Sequence, residues 1–224
     1  MVEMALEALS QTMLFGALDD DVLHELASVS SVKTFDKGEV VVNSGDPGGD
    51  LLVVAAGRLK VITRSAEGAD LFLAHATMGD SIGELSLFDL EPRSASIEAR
   101  EKSTVVTVPG DAVRALIRGH PDVAEELLRQ QAMMLRRANN QVADLVFLDL
   151  PRRVAKYIIE RSDRNGRADL GLSQTELAAA VGGVRQSVNS ALRGLERRGW
   201  ITAEGRIVDI HDHAALADYV APGT

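Results

Sequence analysis

The chain has 224 residues, 46% hydrophobic and 25% charged, an ordinary globular composition with enough length to bury a core. It holds no cysteine and no run approaching eighteen apolar residues, which excludes disulfides, thiolate zinc sites, cysteine-ligated iron–sulfur clusters and a membrane span. The net charge of -9 is uneven: residues 151–200 hold ten Lys and Arg against five Asp and Glu, whereas residues 1–150 hold 13 against 24. A basic block inside an acidic chain suits a polyanionic partner such as nucleic acid, with an ordinary solvated helix face as the alternative. The N-terminus carries Glu3 and Glu7 and lacks a basic segment ahead of an apolar one, so the expected compartment is the cytoplasm.

Residues 6–31 read as helical, with Asp19-Asp20-Asp21 offering a cap and first-turn negative charge ahead of Val22, Leu23, Leu26 and Val29 at helical spacing. From about 32 to 108 the pattern turns to short β-rich runs at 40–42, 51–54, 59–63, 71–73 and 105–108. Gly38, Gly45, Gly48-Gly49, Gly57, Gly68 and Gly79 punctuate them at the rhythm of an antiparallel sandwich or jelly roll, a shape that encloses a ligand pocket.

The most specific stretch follows: Gly83-Glu84-Leu85-Ser86-Leu87-Phe88-Asp89-Leu90-Glu91-Pro92-Arg93-Ser94-Ala95-Ser96. It sets a carboxylate and a guanidinium around a short helical turn. Gly83 and Glu84 stand where that turn begins, so backbone N–H groups point outward, as an anion prefers. Arg93 brings a planar fork suited to phosphate, Ser94 a hydroxyl donor, and Glu84 an acceptor suited to a sugar hydroxyl. A structural Glu84–Arg93 salt bridge over a β-bulge is the alternative.

Pro121 opens a long helix with Asp122, Glu125 and Glu126 in its first turns. Ala124, Leu128, Gln131, Leu135, Ala138, Val142 and Leu145 recur by alternating steps of four and three, a coiled-coil seam that pairs the 121–147 helix with its copy in a second subunit. A helix packed on its own β domain is the other reading. Pro151 is expected to end this segment and mark a boundary. Beyond it, Val154, Ile158 and Ile159 mark an amphipathic helix, and Ser173-Gln174-Thr175-Glu176 is a capping box. Gly182-Gly183 makes a turn, and a second helix spans about 185–198 with Val188, Ala191, Leu192 and Leu195 inward. Arg185, Gln186, Asn189, Ser190 and Arg193 face out, the arrangement of a helix-turn-helix. Glu204-Gly205 turns a hairpin that supplies a wing. Ser173, Arg152, Arg153, Arg193 and Arg197 are candidate phosphate contacts.

At this point the chain resembles the catabolite activator protein (CRP/FNR) family of bacterial transcription regulators. The Gly-Glu-Leu-Ser…Pro-Arg-Ser-Ala segment resembles its phosphate-binding cassette, 143–149 its junction between coiled coil and DNA domain, and 173–200 its winged helix-turn-helix. The resemblance implies an α+β chain. An N-terminal β-roll (jelly-roll) cyclic-nucleotide-binding domain with its helices spans 1–119, a long dimerisation helix and hinge 120–150, and a C-terminal winged helix-turn-helix 151–224. It further implies a homodimer, cyclic AMP in each β-roll, a palindromic double-stranded DNA site and contact with RNA polymerase. Carried over, Glu84 bonds the ribose 2′-hydroxyl, Arg93 pairs with the cyclic phosphate, Ser94 adds a phosphate bond, and backbone N–H groups at Gly83, Leu85 and the nearby Ser86 complete the cradle.

Two departures qualify this. Where cyclic AMP responders present a threonine to the adenine and an arginine one turn earlier, this chain has Ala138 and Met134, leaving Asn139 as the side chain able to reach an adenine edge. Another nucleotide, or DNA binding without ligand, therefore stays open. Where the family's recognition helix carries Arg, Glu and a further Arg or Lys, the matching residues are Arg185, Gln186 and Ser190. Glutamine favours adenine where glutamate accepts from cytosine, which predicts an altered half-site. No metal, haem or iron–sulfur cluster is expected: His211-Asp212-His213 lacks a nearby third ligand, and His75 reads as a packed or edge residue. Met133-Met134 reads as core or seam filler, and Trp200 as packing between recognition helix and wing. A nucleotide-processing enzyme using the same pocket is the alternative from another class, but neither clustered metal ligands nor a Walker loop supports it.

Overall fold

The computed structural model describes residues 1–64 and 70–221, so Gly68 lies outside the described residues. The chain divides into two compact units within one long helix, after Met133. In the first unit, helices α1 (Val2–Ser10) and α2 (Asp20–Val29) precede β1 (Ser31–Phe35), β2 (Val40–Val42), β3 (Leu51–Ala56), β4 (Arg58–Arg64), β5 (Asp70–Thr77) and β6 (Ser81–Ile82). The short α3 (Glu84–Phe88), β7 (Ser96–Ala99), β8 (Ser103–Val108), α4 (Gly110–Gly119) and the start of α5 (Pro121–Phe147) complete it. The strands pair antiparallel into two four-stranded sheets, ordered β1-β8-β3-β6 and β2-β7-β4-β5, which is the β-roll that the sequence rhythm predicts.

β3 shows why these residues make this sheet. Leu51 and Val53 pack with Leu9, Phe15, Val106 and Val113, while Leu52 and Val54 pack with Phe35, Leu59, Ile97 and Val105. Both faces of the strand are buried, so it reads as an unbroken apolar run rather than an alternation. Truncating a side chain such as Leu51 to alanine would cost about 2–5 kcal/mol in lost burial and cavity.

The stretch that reads as helical over 6–31 holds the end of α1, all of α2 and the start of a strand. Thr12 turns the chain after α1: its hydroxyl donates to Leu9 O at 2.8 Å and accepts from Phe15 N at 2.9 Å. Val29 is exposed, and Asp19 occupies the N-cap without a side-chain bond. The pattern hides β1 because Val32 and Phe35 stand three apart, a helical interval. Its place comes from distant pairing with β8, from Ser31↔Thr107 to Phe35↔Ser103. β6, β7 and α4 also escape the sequence reading.

The second unit continues from α5 into α6 (Leu150–Ile159), β9 (Arg167–Asp169), α7 (Gln174–Ala180), α8 (Arg185–Arg197), β10 (Ile201–Glu204), β11 (Ile207–Ile210) and α9 (His213–Val220). Pro151 does not end α5, which stops at Phe147; it lies in the first turn of α6, where its missing N–H leaves no orphan. Asp149 caps that helix, accepting from Arg152 N at 2.9 Å. Val154, Ile158, Leu177, Val188, Leu195 and Leu216 are buried, and the three strands form a sheet ordered β10-β11-β9. The sequence reading misses α9. Its N-cap is Asp212, which accepts from Ala215 N at 2.9 Å, and His211 Nε2 lies 2.7 Å from Thr202 Oγ1, so this stretch serves helix start and sheet edge. Trp200, between α8 and β10, packs on Tyr219 of α9, ring centroids 5.4 Å apart, with Arg198 over its face at 4.8 Å, a contact that the sequence reading does not foresee.

α5 packs into the core of the first unit at its start and leaves its heptad seam uncovered beyond. Val123 and Leu127 are buried in the core of the first unit, whereas Leu128, Leu135, Val142 and Leu145 of the heptad seam are each more than half exposed. Met133 and Met134 are exposed as well, so neither is core.

Candidate functional site

In the first unit the cassette residues converge on Arg93. Gly83, at φ +99°, is the N-cap of α3, and the helix carries Glu84, Ser86 and Leu87 inward. The backbone of Arg93 is pinned by the loop after β2: its N–H donates to Asp46 O at 2.9 Å, and its carbonyl accepts from Gly45 N at 2.8 Å. Its side chain turns inward and is 7% exposed. Nη1 donates to Ser86 Oγ at 3.0 Å and Gly83 O at 3.3 Å, and Nη2 donates to Asp50 O at 2.8 Å. Nε is buried without a partner among the described residues.

Among the described residues no carboxylate pairs with this guanidinium, so the structural Glu84–Arg93 salt bridge does not form. Burial pushes the Arg93 pKa down from its ordinary value, and the more distant charges of Asp50, Glu84 and Asp46 oppose that shift. The result is a buried cation held by neutral oxygens, with one nitrogen, Nε, unpartnered among the described residues. Such a group is costly unless an anion joins it. Glu84 is 9% exposed, and Ser94 and Leu85 are exposed. Ser86, placed by sequence among the anion contacts, is buried with its hydroxyl donating to Gly83 O at 3.2 Å, so it holds Arg93 in position. Asp50 escapes sequence reasoning altogether, although the Gly48-Gly49 pair before it signals a close approach. A Cβ on Gly48 would lie 2.3 Å from that of Ser86. Asn139 belongs to the second unit, exposed on α5 near Ala138 and Met134.

The second unit contains the helix-turn-helix. Ser173 and Glu176 make the predicted capping box on α7, so the Ser173 hydroxyl is already engaged, donating to Glu176 Oε2 at 2.8 Å. On α8, Val188, Ala191, Leu192 and Leu195 face the core as their spacing predicts. Arg185, Gln186, Ser190 and Arg193 are exposed. Asn189 is half-buried, with Oδ1 unpartnered among the described residues, and the Ser190 hydroxyl donates back to Gln186 O at 3.0 Å. Glu196 accepts from Ala203 N at 3.0 Å, tying α8 to the β10–β11 hairpin, which turns at Gly205.

Of the candidate phosphate contacts, Arg193 and Arg197 are exposed on the surface. Arg152 lies 5.6 Å from the Tyr219 ring. Arg153 is different: Nε, Nη1 and Nη2 donate to Val181 O, Leu148 O and Gly182 O at 2.8, 2.7 and 3.1 Å. Among the described residues no group of three or more His, Asp or Glu could hold a metal, and no helix is long and apolar enough to cross a membrane. His75 sits on β5 with Nδ1 3.3 Å from Leu59 O and its ring edge-on to Phe72.

Comparison with known proteins gives these two arrangements their context. The cyclic nucleotide-binding domain family matches residues 32–120 and the Crp-like helix-turn-helix domain family residues 152–219. The CRP-like cAMP-activated global transcriptional regulator of Mycobacterium tuberculosis is 35% identical over 218 residues, covering 94% of this chain and 97% of that protein. The chain belongs to the CRP/FNR family of transcription regulators. The cAMP-activated global transcriptional regulator CRP of Salmonella typhimurium is 26% identical over 86% of this chain and 95% of its own length. A CooA mutant from Carboxydothermus hydrogenoformans shares the fold at a TM-score of 0.76, with 19% identity over 87% of this chain and 89% of that one. As a CRP-like regulator the chain couples a cyclic-nucleotide-binding β-roll to a DNA-binding domain, and relatives that are transcription regulators set the enzyme reading aside.

Proposed function

We propose that two copies of the chain pair along α5, that each β-roll takes up cyclic AMP, and that the loaded pair occupies a palindromic site in double-stranded DNA and contacts RNA polymerase. The observation that carries the ligand is Arg93, a buried guanidinium with no ion pair and an unsatisfied Nε among the described residues. A cyclic phosphate supplies the missing charge and acceptor. Glu84 then accepts from the ribose 2′-hydroxyl, and Ser94 and the Gly83–Leu85 backbone complete the cradle. The exposed seam of Leu128, Leu135, Val142 and Leu145 supports pairing, because an apolar stripe on a free helix lowers its free energy by meeting its copy. Arg185 and Gln186 read base edges, while Arg193 and Arg197 meet phosphates. The domain division implied by the resemblance, with the hinge at 120–150, belongs to the same reading.

The names of the relatives, cAMP-activated regulators, favour cyclic AMP. Ala138 and Met134 favour a second reading in which another cyclic nucleotide is preferred, since neither side chain can hydrogen-bond an adenine. Calorimetric titration with cyclic AMP and cyclic GMP, read together with DNA affinity, tests both. Wild type is expected to bind one nucleotide per chain, with Arg93→Ala weakening it by about 10- to 150-fold through loss of a charge-assisted bond. Equal binding by wild type and Arg93→Ala would overturn the proposal.

A further inference from the structure

We infer that Arg153 is a positioning residue for the recognition helix, joining the end of α5 to the α7–α8 turn so that order gained along the α5 seam reaches α8. The inference rests on the DNA-binding dimer proposed above, and three separate contacts within the second unit support it. Arg153 sits on α6 and grips three backbone carbonyls. One is Leu148 O, just beyond α5; the others are Val181 O and Gly182 O, in the turn that launches α8. A planar fork spreads its N–H groups over three nitrogens with fixed directions and so reaches carbonyls that lie apart, whereas an ammonium offers its donors from a single nitrogen.

The same turn also lies directly against the helix ends. A Cβ on Gly182 would stand 2.6 Å from Leu145 Cδ2, and one on Gly183 would stand 2.7 Å from Leu150 Cδ1. Leu145 is the last apolar position of the seam, so the residue that closes the coiled coil touches the turn that aims α8. The third tie is Lys156, whose ammonium donates to both carboxylate oxygens of Asp144 at 2.7 Å, fixing α6 to the last turns of α5. Basic residues in a DNA-binding domain ordinarily suggest phosphate contacts. Here the three nitrogens of Arg153 are turned towards the protein's own backbone. A discrete packed arrangement of this kind is what a coupling free energy between two sites requires.

The test uses the full-length chain and Arg153→Lys, which keeps the charge and removes the fork. Hydrogen exchange without ligand should show the amides of 148–150 and 181–184 opening together, about tenfold faster than in wild type. The gain in DNA affinity on adding cyclic AMP should fall at least about fivefold, with nucleotide affinity and the salt dependence of DNA binding unchanged. In Arg153→Gln, which removes the charge as well, a salt slope reduced by about one would identify a phosphate contact and overturn the inference. So would an unchanged gain, or faster exchange in only one of the two segments. If wild-type DNA binding ignores cyclic AMP, it is the nucleotide assignment that fails, and the exchange measurement still decides the role of Arg153. Asp144→Asn provides a second variant: it weakens one tie of the same junction and should reduce the gain in the same direction.

Discussion

Gly83→Ala perturbs the proposed nucleotide site without replacing any charged residue. At φ +99° a non-glycine residue is strained, at a cost of about 1–2 kcal/mol. The added methyl would also stand 2.1 Å from Arg93 Nη1 and 3.2 Å from its Cζ, so the guanidinium must swing away. That movement breaks the bond to Ser86 Oγ and misaligns the group with a bound phosphate, and a hydrogen bond to a charged group contributes about 1.5–3 kcal/mol. Cyclic AMP affinity should therefore fall by about 10- to 150-fold. Gly38→Ala separates strain from displacement: Gly38 has φ +87° and no atom within 4 Å of where its new methyl would stand, so the substitution lowers stability by about 1–2 kcal/mol and leaves affinity intact. Urea unfolding and calorimetry on the two variants make the comparison. Equal nucleotide affinity in both would refute the reasoning, because the clash with Arg93 would then have no consequence.

Leu135→Glu puts a charge into each side of the seam and should convert a sedimenting dimer into a monomer; a variant that remains fully paired would remove α5 as the interface. Gln186→Glu should move the preferred base from adenine towards cytosine, with about 1–3 kcal/mol of discrimination per contact, and binding-site selection returning one sequence for both proteins would contradict it. Ser173→Ala removes the capping hydroxyl and should lower stability by about 1 kcal/mol in urea unfolding. A loss within error would mean that the start of α7 is held by its packing alone.

The cassette is legible in sequence because it is local: within twelve consecutive residues the chain presents the turn glycine, the acceptor and the fork. Its support is not, since Asp50 acts through a carbonyl 43 residues from Arg93, and backbone groups look alike in every sequence. β3 can be read from its continuous apolar run, whereas β7, central in its sheet, spells Ser-Ile-Glu-Ala and shows strand character only against its neighbours. The capping box and the paired glycines expose the helix-turn-helix. Arg153 reads as a phosphate contact because charge announces itself in sequence, while the partner that satisfies it depends on the fold. α9 stays hidden because a short, alanine-rich helix carries little amphipathic pattern and is specified by Leu216 and the Trp200–Tyr219 contact.

Two of the three oxygens that orient Arg93 are main-chain carbonyls, which no side-chain substitution can delete. The orientation of this guanidinium is thereby insulated from drift in the surrounding side chains. Side chains around the rest of a ligand are free to vary about such a fixed anchor. A lineage built on this scaffold can change the messenger it hears while keeping the means of holding it.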